Sequence, residues 1–168
     1  EEIKENIVKI RKILIEIEDK LENHSFNKNS INDLLISFHT IKGISGMIGI
    51  IELQSVAHSI ENYFKFINSS DCNITKEAFE KIIEGVQKLE NMIEILQNDK
   101  DYFYSLVHSL DLNQFTKSIS SIIEKSKNEK ELLNKKEDLI SEGDVSIKNK
   151  FVIYFTPSQE LFSQGINV

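Results

Sequence analysis

Residues 38–61 of this chain read FHTIKGISGMIGIIELQSVAHSIE, and this stretch decides how the chain folds. His39 is followed one helical turn later by Lys42 and then by closely spaced glycines. A second histidine, His58, and a glutamate, Glu61, lie further along. Apolar residues recur at spacings of three and four on both sides of the glycines. The stretch therefore predicts two consecutive helices, each with a polar stripe beside an apolar face.

The first of these helices places His39 at the edge of its buried face. Leu34, Phe38 and Ile41 recur at helical spacing and predict the stripe that faces the core. His39 lies one residue, about 100°, around the helix from Phe38. Its ring should therefore be reachable from solvent. Ser30 is predicted to be the N-cap of this helix.

The second helix, at roughly residues 51–67, is predicted to carry a polar stripe beside its apolar face. That stripe consists of Gln54, His58, Glu61 and Lys65. If the two helices pack antiparallel across a short turn near Gly49, the stripe borders His39. A carboxylate could then reach the imidazole ring.

A carboxylate in that place suits a nucleophilic histidine. A neutral imidazole has one donor and one acceptor nitrogen, and the hydrogen bond made by the first selects the nucleophile. Glu61 accepting from Nδ1 of His39 would leave the Nε2 lone pair free to attack phosphorus. Lys42 would supply positive charge for phosphoryl oxygens. Gly43 and Gly46 carry no side chain, so a partner's active site can come close.

The spacing as a whole follows a recognisable pattern, H-x-x-K-G-x-(A/S)-x-x-x-G and then L-x-x-x-x-H-x-x-E. It is matched by His39, Lys42, Gly43, Ser45, Gly49, Leu53, His58 and Glu61. In this the chain resembles the histidine-phosphotransfer (HPt) domain of chemotaxis-type (CheA-like) sensor histidine kinases. The resemblance implies that His39 is the phosphoacceptor. It gives Lys42, His58 and Glu61 supporting roles.

The resemblance also implies the partners. His39 would accept a phosphoryl group from ATP bound to a separate kinase domain and pass it to an aspartate of a response-regulator receiver domain. The chain has no G-x-x-x-x-G-K-[ST] loop of its own. We therefore expect no cofactor on this segment, with ATP and Mg²⁺ on the kinase domain and Mg²⁺ on the receiver. The segment is a carrier, and the parent protein would be the kinase.

Other interpretations of the same residues stay open. The domain could be a relay module of a hybrid kinase or a free-standing carrier, which differ in the donor. It could also be a non-catalytic dimerisation or scaffold bundle that uses the isoleucine-rich first helix. By residue type, His39, His58 and Glu61 could bind a metal. The sequence offers no fourth ligand at a spacing typical of metal sites, so we expect no metal. His24 and His108 are not part of the motif, and we interpret them as surface residues.

Composition is typical of an intracellular signalling module. The chain has 168 residues and a net charge of −7, and its one cysteine, Cys72, excludes an internal disulfide. The acidic balance argues against nucleic acid as a partner. No apolar run approaches the roughly 20 residues that span a bilayer, and there is no signal peptide. We expect a cytoplasmic segment of a longer protein, since the chain starts within a helical pattern and without methionine.

The predicted fold class is all-α: an up-down bundle of four helices followed by one or two more. The first helix, in residues 1–24, should face the core through Ile3, Ile7, Ile10, Leu14, Ile17 and Leu21. Thr75 is predicted to cap the fourth helix, which reaches about Asn98. Asp111 begins a D-x-x-Q capping box before a further helix.

Three segments are predicted along the chain. Residues 1–126 form the phosphotransfer bundle, and residues 127–149, charged and weakly periodic, form a linker. Residues 150–168 begin a following domain. Within them, KFVIYFT at 150–156 predicts a strand. This tail resembles the start of the regulator-docking domain that follows the phosphotransfer domain in some chemotaxis-type kinases.

Overall fold

The computed structural model describes residues 1–21, 27–70, 72–107 and 112–142. Within these ranges the chain forms helices and no strand, which confirms the predicted all-α class. The helices are α1 (Glu2–Glu18), α2 (Lys28–Met47), α3 (Ile51–Ser70), α4 (Lys76–Asn98), α5 (Lys100–Val107) and α6 (Leu112–Glu142). None of these helices is long and apolar enough to cross a bilayer.

The first four helices close on themselves as a bundle. Consecutive helices are neighbours, and α1 also packs against α4. The predicted apolar stripes meet inside, where for example Phe38 and Phe64 stack with ring centroids 5.9 Å apart. Large buried side chains come from every helix of the bundle, including Ile10, Leu14, Leu34, Leu53, Ile60, Ile82 and Leu89. Four helices thus cover the region up to Asn98, as predicted.

The isoleucine seam of α1 belongs to this core. Ile7, Ile10, Leu14 and Ile17 are buried, and the two ends of the seam are partly buried against the same cluster. On its flank, Arg11 donates two hydrogen bonds to Glu90 of α4. The prediction that the seam faces the core is confirmed, because its apolar side chains pack against the other helices of this chain.

Two of the predicted helix caps can be compared with the structure. Thr75 caps α4 as predicted, its Oγ1 accepting from the amide of Ala78 at 3.2 Å. The prediction for α2 is wrong: Asn27, not Ser30, is the N-cap. Asn27 has extended backbone geometry, and its side chain accepts from the amide of Asn29 at 3.0 Å. The better cap lies earlier, so Ser30 falls inside the first turn of the helix.

After the bundle, the one or two predicted helices are α5 and α6. Phe115, Ile119 and Ile122 of α6 are buried. The helix continues through our predicted boundary at Ser126 to Glu142, and one compact unit ends at Leu132. Of the second unit, residues 133–168, the structure describes only the helical residues 133–142. The first part of the expected linker is therefore helical.

Several sequence predictions fall outside the described residues. These are the capping box at Asp111, the strand at 150–156, and the surface positions of His24 and His108. The division into bundle, linker and following domain stays a prediction.

A close contact at Gly85 joins α6 to the bundle. A Cβ atom on Gly85 of α4 would lie 2.6 Å from Cζ of Phe115 and 2.7 Å from Cδ1 of Ile60. Both neighbours are buried, so neither side chain can move aside into solvent without leaving the core. Lys125 of α6 adds a surface ion pair with Glu77 of α4, at 3.1 Å. Because residue 85 has no side chain, the ring of Phe115 can pack directly against α4.

We predict that Gly85→Ala destabilises the protein, although alanine is the better helix former. Overpacking a core costs typically 1–3 kcal/mol, against about 1 kcal/mol gained in helix propensity. The free energy of unfolding in urea should therefore fall by about 1 kcal/mol, with faster amide exchange around Phe115. Gly43→Ala is the matched control, because its new Cβ would meet no atom within 4 Å. An unchanged or higher stability for Gly85→Ala would contradict this contact.

Candidate functional site

Side chains from α2 and α3 meet around one carboxylate. Glu61 of α3 is only 1% exposed. Its Oε1 lies 2.9 Å from Nδ1 of His39 and 2.7 Å from Nζ of Lys65, while its Oε2 lies 2.7 Å from Nζ of Lys42. The structure therefore brings together His39, Lys42 and Glu61, which the sequence predicted as a group.

The connection between α2 and α3 explains why these residues meet. Gly49 has φ +77°, in the left-handed region that glycine adopts without strain. The amide of Ile50 donates to the carbonyl of Ser45 at 2.9 Å, which ends α2 and turns the chain back. His39 and Glu61 then lie at similar distances, two to three turns, on either side of this tight connection. The predicted turn at Gly49 is therefore what sets the two helices in register.

The surroundings of Glu61 keep its carboxylate ionised. Burial alone would raise its pKa, but hydrogen bonds from Lys42, Lys65 and His39 outweigh burial and lower the pKa to about 2. At neutral pH the group is therefore a carboxylate that can only accept hydrogen bonds.

This charge state fixes the tautomer of His39. An ionised carboxylate 2.9 Å from Nδ1 requires a proton on that nitrogen. The ammonium of Lys42, 3.4 Å from Nδ1, then acts as a nearby positive charge, since both groups are donors. The lone pair of the ring is left on Nε2. The His39 side chain is 68% exposed, so this nucleophile faces solvent.

The surface beside His39 is open. Gly43, one turn further along α2, is exposed, and a Cβ there would meet nothing within 4 Å. Gly46 is also exposed, although a Cβ there would lie 2.9 Å from Nε2 of Gln54. Ile36 and Met47 are apolar side chains of α2 with exposed fractions of 60% and 89%. A macromolecule can therefore approach the ring over small and apolar side chains.

His58 does not share the contacts of the other predicted residues. It is exposed on α3, and its Nε2 lies 3.2 Å from Nδ2 of Asn62 on the same helix. The alternative metal site needed His58 together with His39 and Glu61, but two lysines occupy the Glu61 oxygens instead. Within the described part of the chain, no group of three or more His, Cys, Asp or Glu side chains is arranged to hold a metal ion.

Two features of the site were missed in the sequence. Glu61 was placed on a polar stripe, yet it is buried beneath the residues that pair with it. Lys65 was placed on the same stripe without a role, and it shares Oε1 of Glu61 with His39. The available signal was the spacing of Glu61 and Lys65, since a glutamate four residues before a lysine forms a favourable helical pair.

Comparison with known protein families gives a match over the region that contains this site. The model of the Hpt domain family matches residues 1–99, more than half of the 168-residue chain. The match covers α1 to α4 and the connection at Gly49.

Curated relatives match at low identity. The chemotaxis protein CheA of Halobacterium salinarum is 23% identical over 97 residues, covering 58% of this chain and 14% of that protein. The CheA protein of Bacillus subtilis is 26% identical over 81 residues, covering 48% and 12%. That of Borreliella burgdorferi is 25% identical over 82 residues, covering 49% and 10%. The aligned region thus spans a small part of the length of these relatives. No solved structure matches the chain at a significant level.

The lowered pKa of Glu61 predicts a pH-dependent contribution to stability. The folded-state pKa of about 2 lies below the ordinary value of 4.5, so this stabilisation is complete above pH 4.5 and is lost as the pH falls towards 2. The shift corresponds to about 3 kcal/mol. We expect Glu61→Gln to be less stable than wild type by about this amount at pH 6, and by less than half of it at pH 3.

Urea unfolding of both proteins across this pH range measures the difference. Glu84→Gln is the control, because Glu84 also lies between two lysines, Lys81 and Lys88, but is 40% exposed. Its effect should be much smaller, as for other exposed ion pairs. A difference between wild type and Glu61→Gln that stays constant from pH 6 to pH 3 would show that Glu61 is not held ionised by the fold.

Proposed function

Because the chain belongs to the Hpt domain family, we propose that it carries a phosphoryl group on His39 in two-component signalling. The observation that supports this most is the pairing of an exposed Nε2 with an ionised, buried carboxylate at Nδ1. A surface histidine without such a partner populates both tautomers and leaves its nucleophilic nitrogen undefined.

The proposed reaction has two steps: the ring first accepts the phosphoryl group and then gives it up. The Nε2 lone pair attacks the γ-phosphorus of ATP, an N–P bond forms, and the P–O bond to ADP breaks. Positive charge develops on the ring during attack, and Glu61, which accepts from Nδ1, stabilises it. In the return step an aspartate oxygen attacks phosphorus and the N–P bond breaks. Nε2 then regains its lone pair, and the Nδ1 proton stays in place throughout.

Lys42 is proposed to assist by charge. Its ammonium lies 2.7 Å from Oε2 of Glu61 and 3.4 Å from Nδ1 of His39, and the side chain is only 22% exposed. A fixed positive charge in partly buried surroundings attracts the phosphoryl oxygens as the donor approaches.

The proposed partners are an ATP-binding kinase domain, which carries ATP and Mg²⁺, and a response-regulator receiver domain, which carries Mg²⁺ and the acceptor aspartate. Both must bring phosphorus to Nε2, and the open backbone at Gly43 with apolar Ile36 and Met47 nearby suits such an approach. We propose further that the chain is the N-terminal part of a chemotaxis-type histidine kinase and acts in the cytoplasm, where ATP is available.

The remaining interpretations make different demands on the structure. A relay module of a hybrid kinase or a free-standing carrier would use the same site with another donor. A dimerisation scaffold built on the first helix would need the isoleucine seam, but Ile10 and Leu14 lie in the core of this chain. A scaffold role would also leave the contacts of Glu61 with His39 and Lys42 unexplained. The phosphotransfer proposal gives these contacts a role and makes no demand on the seam beyond its place in the core.

We predict that His39 is the phosphorylation site. Incubation with ATP and the kinase domain of a chemotaxis-type kinase should give an acid-labile, base-stable phosphoprotein, and His39→Gln should reduce labelling to background. His58→Gln is the matched control and should keep labelling within about twofold, since His58 lies outside the Glu61 contacts. Circular dichroism checks that both variants are folded. Labelling of His39→Gln at the wild-type level would refute the assignment, and no labelling of wild type by a competent kinase would favour a scaffold role.

A further inference from the structure

Lys65 occupies a place in the site that the phosphoacceptor role does not by itself require. Its ammonium contacts Oε1 of Glu61 at 2.7 Å, and the same oxygen accepts from Nδ1 of His39 at 2.9 Å. Oε2 is already paired with Lys42. One buried carboxylate therefore faces two ammonium groups, although one would balance its charge.

A carboxylate beside a histidine has two opposing effects on a nucleophile. By accepting from Nδ1 it directs the lone pair to Nε2. By its negative charge it also favours addition of a second proton to the ring, and that proton would occupy Nε2. A carboxylate alone therefore directs the lone pair to Nε2 and also makes that nitrogen easier to protonate.

The two lysines counter the second effect without removing the first. The charged groups that face Glu61 are His39 and Lys42 on α2 and Lys65 on α3. From α1 and α4 no ion pair reaches Glu61 among the described residues. With Lys65 present, the lysines and the carboxylate together carry one net positive charge, which opposes a further proton on the ring.

We propose that Lys65 is a positioning residue that keeps Nε2 of His39 unprotonated and nucleophilic by sharing the carboxylate of Glu61. The proposal rests on the proposed function, because it assumes that Nε2 is the nucleophile. Lys65 is four residues after Glu61 on the same helix, so its ammonium is held at the carboxylate by helical geometry. Among the described residues, the recorded polar contacts of the His39 ring are with Glu61 and Lys42 and not with Lys65. Lys65 acts on the ring through the shared oxygen.

If Lys65 had only a structural role, its removal would not change the pH dependence of His39 phosphorylation. Lys65 is 54% exposed, and a surface ion pair of that kind contributes little to stability and is screened by solvent from neighbouring groups. Here the shared oxygen belongs to a side chain that is 1% exposed, where water screens charges poorly. The pH dependence of the reaction therefore separates the two roles.

The test measures the rate of His39 phosphorylation against pH with phosphoramidate, a small P–N donor that needs no kinase. The full chain is used as wild type, Lys65→Met, Lys65→Arg and Lys88→Met. Lys88 forms an equivalent pair with Glu84, four residues earlier on α4, and is the matched control. Mass spectrometry assigns the label to each histidine, so His58 serves as an internal reference in every sample.

We expect the acid limb of the His39 profile to move to higher pH by about 0.5 unit in Lys65→Met, which lowers the rate on that limb about threefold. The rate at high pH should stay within about twofold of wild type. Lys65→Arg should restore the profile because it restores the charge. Lys88→Met should leave it unchanged, and the profile of His58 should move less than that of His39.

Other outcomes would overturn the proposal. These are an unchanged profile in Lys65→Met, an equal shift in Lys88→Met, or a rate that drops equally at every pH, as a structural defect would cause. The proposed function fails separately: a kinase domain that labels its own partner but not wild-type His39 would count against the function. The phosphoramidate profile would still report on Lys65.

Discussion

The carboxylate of Glu61 is buried and charged, and the site can exist only if that charge is compensated. Moving an unpaired carboxylate out of water costs several kcal/mol. Here Lys42, Lys65 and His39 together compensate that charge, and the pKa falls to about 2 in spite of burial. Two of these donors come from α2 and one from α3, so the compensation requires the two helices to lie in one register. Function and fold are linked at this carboxylate.

The rest of the bundle keeps that register. The short connection at Gly49 fixes the ends of α2 and α3, and the stacked rings of Phe38 and Phe64 pack their apolar faces beside the site. His39 is the residue after Phe38 and is turned about 100° from the core. Its Nδ1 can therefore reach the carboxylate at the edge of the core while Nε2 stays in solvent. A less rigid scaffold would let the ring rotate and lose the distinction between its nitrogens.

Much of this could be predicted from the sequence because helical periodicity assigns each residue to a face. The spacing of His39, Lys42 and Glu61 predicted their meeting, and Thr75 was correctly predicted as a cap. Helical periodicity does not show how deeply a residue at the edge of a face is buried, however, and so the burial of Glu61 was not predicted. The position of a cap also depends on backbone geometry, which is why the choice of Ser30 over Asn27 was wrong. The charged stretch after Ser126 hid the continuation of α6, since lysines and glutamates suit an exposed helix as well as a linker.

The contact with Glu61 assigns His39 the Nδ1–H tautomer with a free lone pair on Nε2. Nitrogen-15 NMR of the imidazole ring in the intact protein tests this assignment most directly, because protonated and unprotonated ring nitrogens differ widely in chemical shift. At pH 8 we expect His39 to show a protonated Nδ1 and an unprotonated Nε2, and Glu61→Gln to shift the ring towards a mixture of tautomers. A predominantly protonated Nε2 in the wild-type protein, or no change in Glu61→Gln, would show that Glu61 does not select the tautomer of His39.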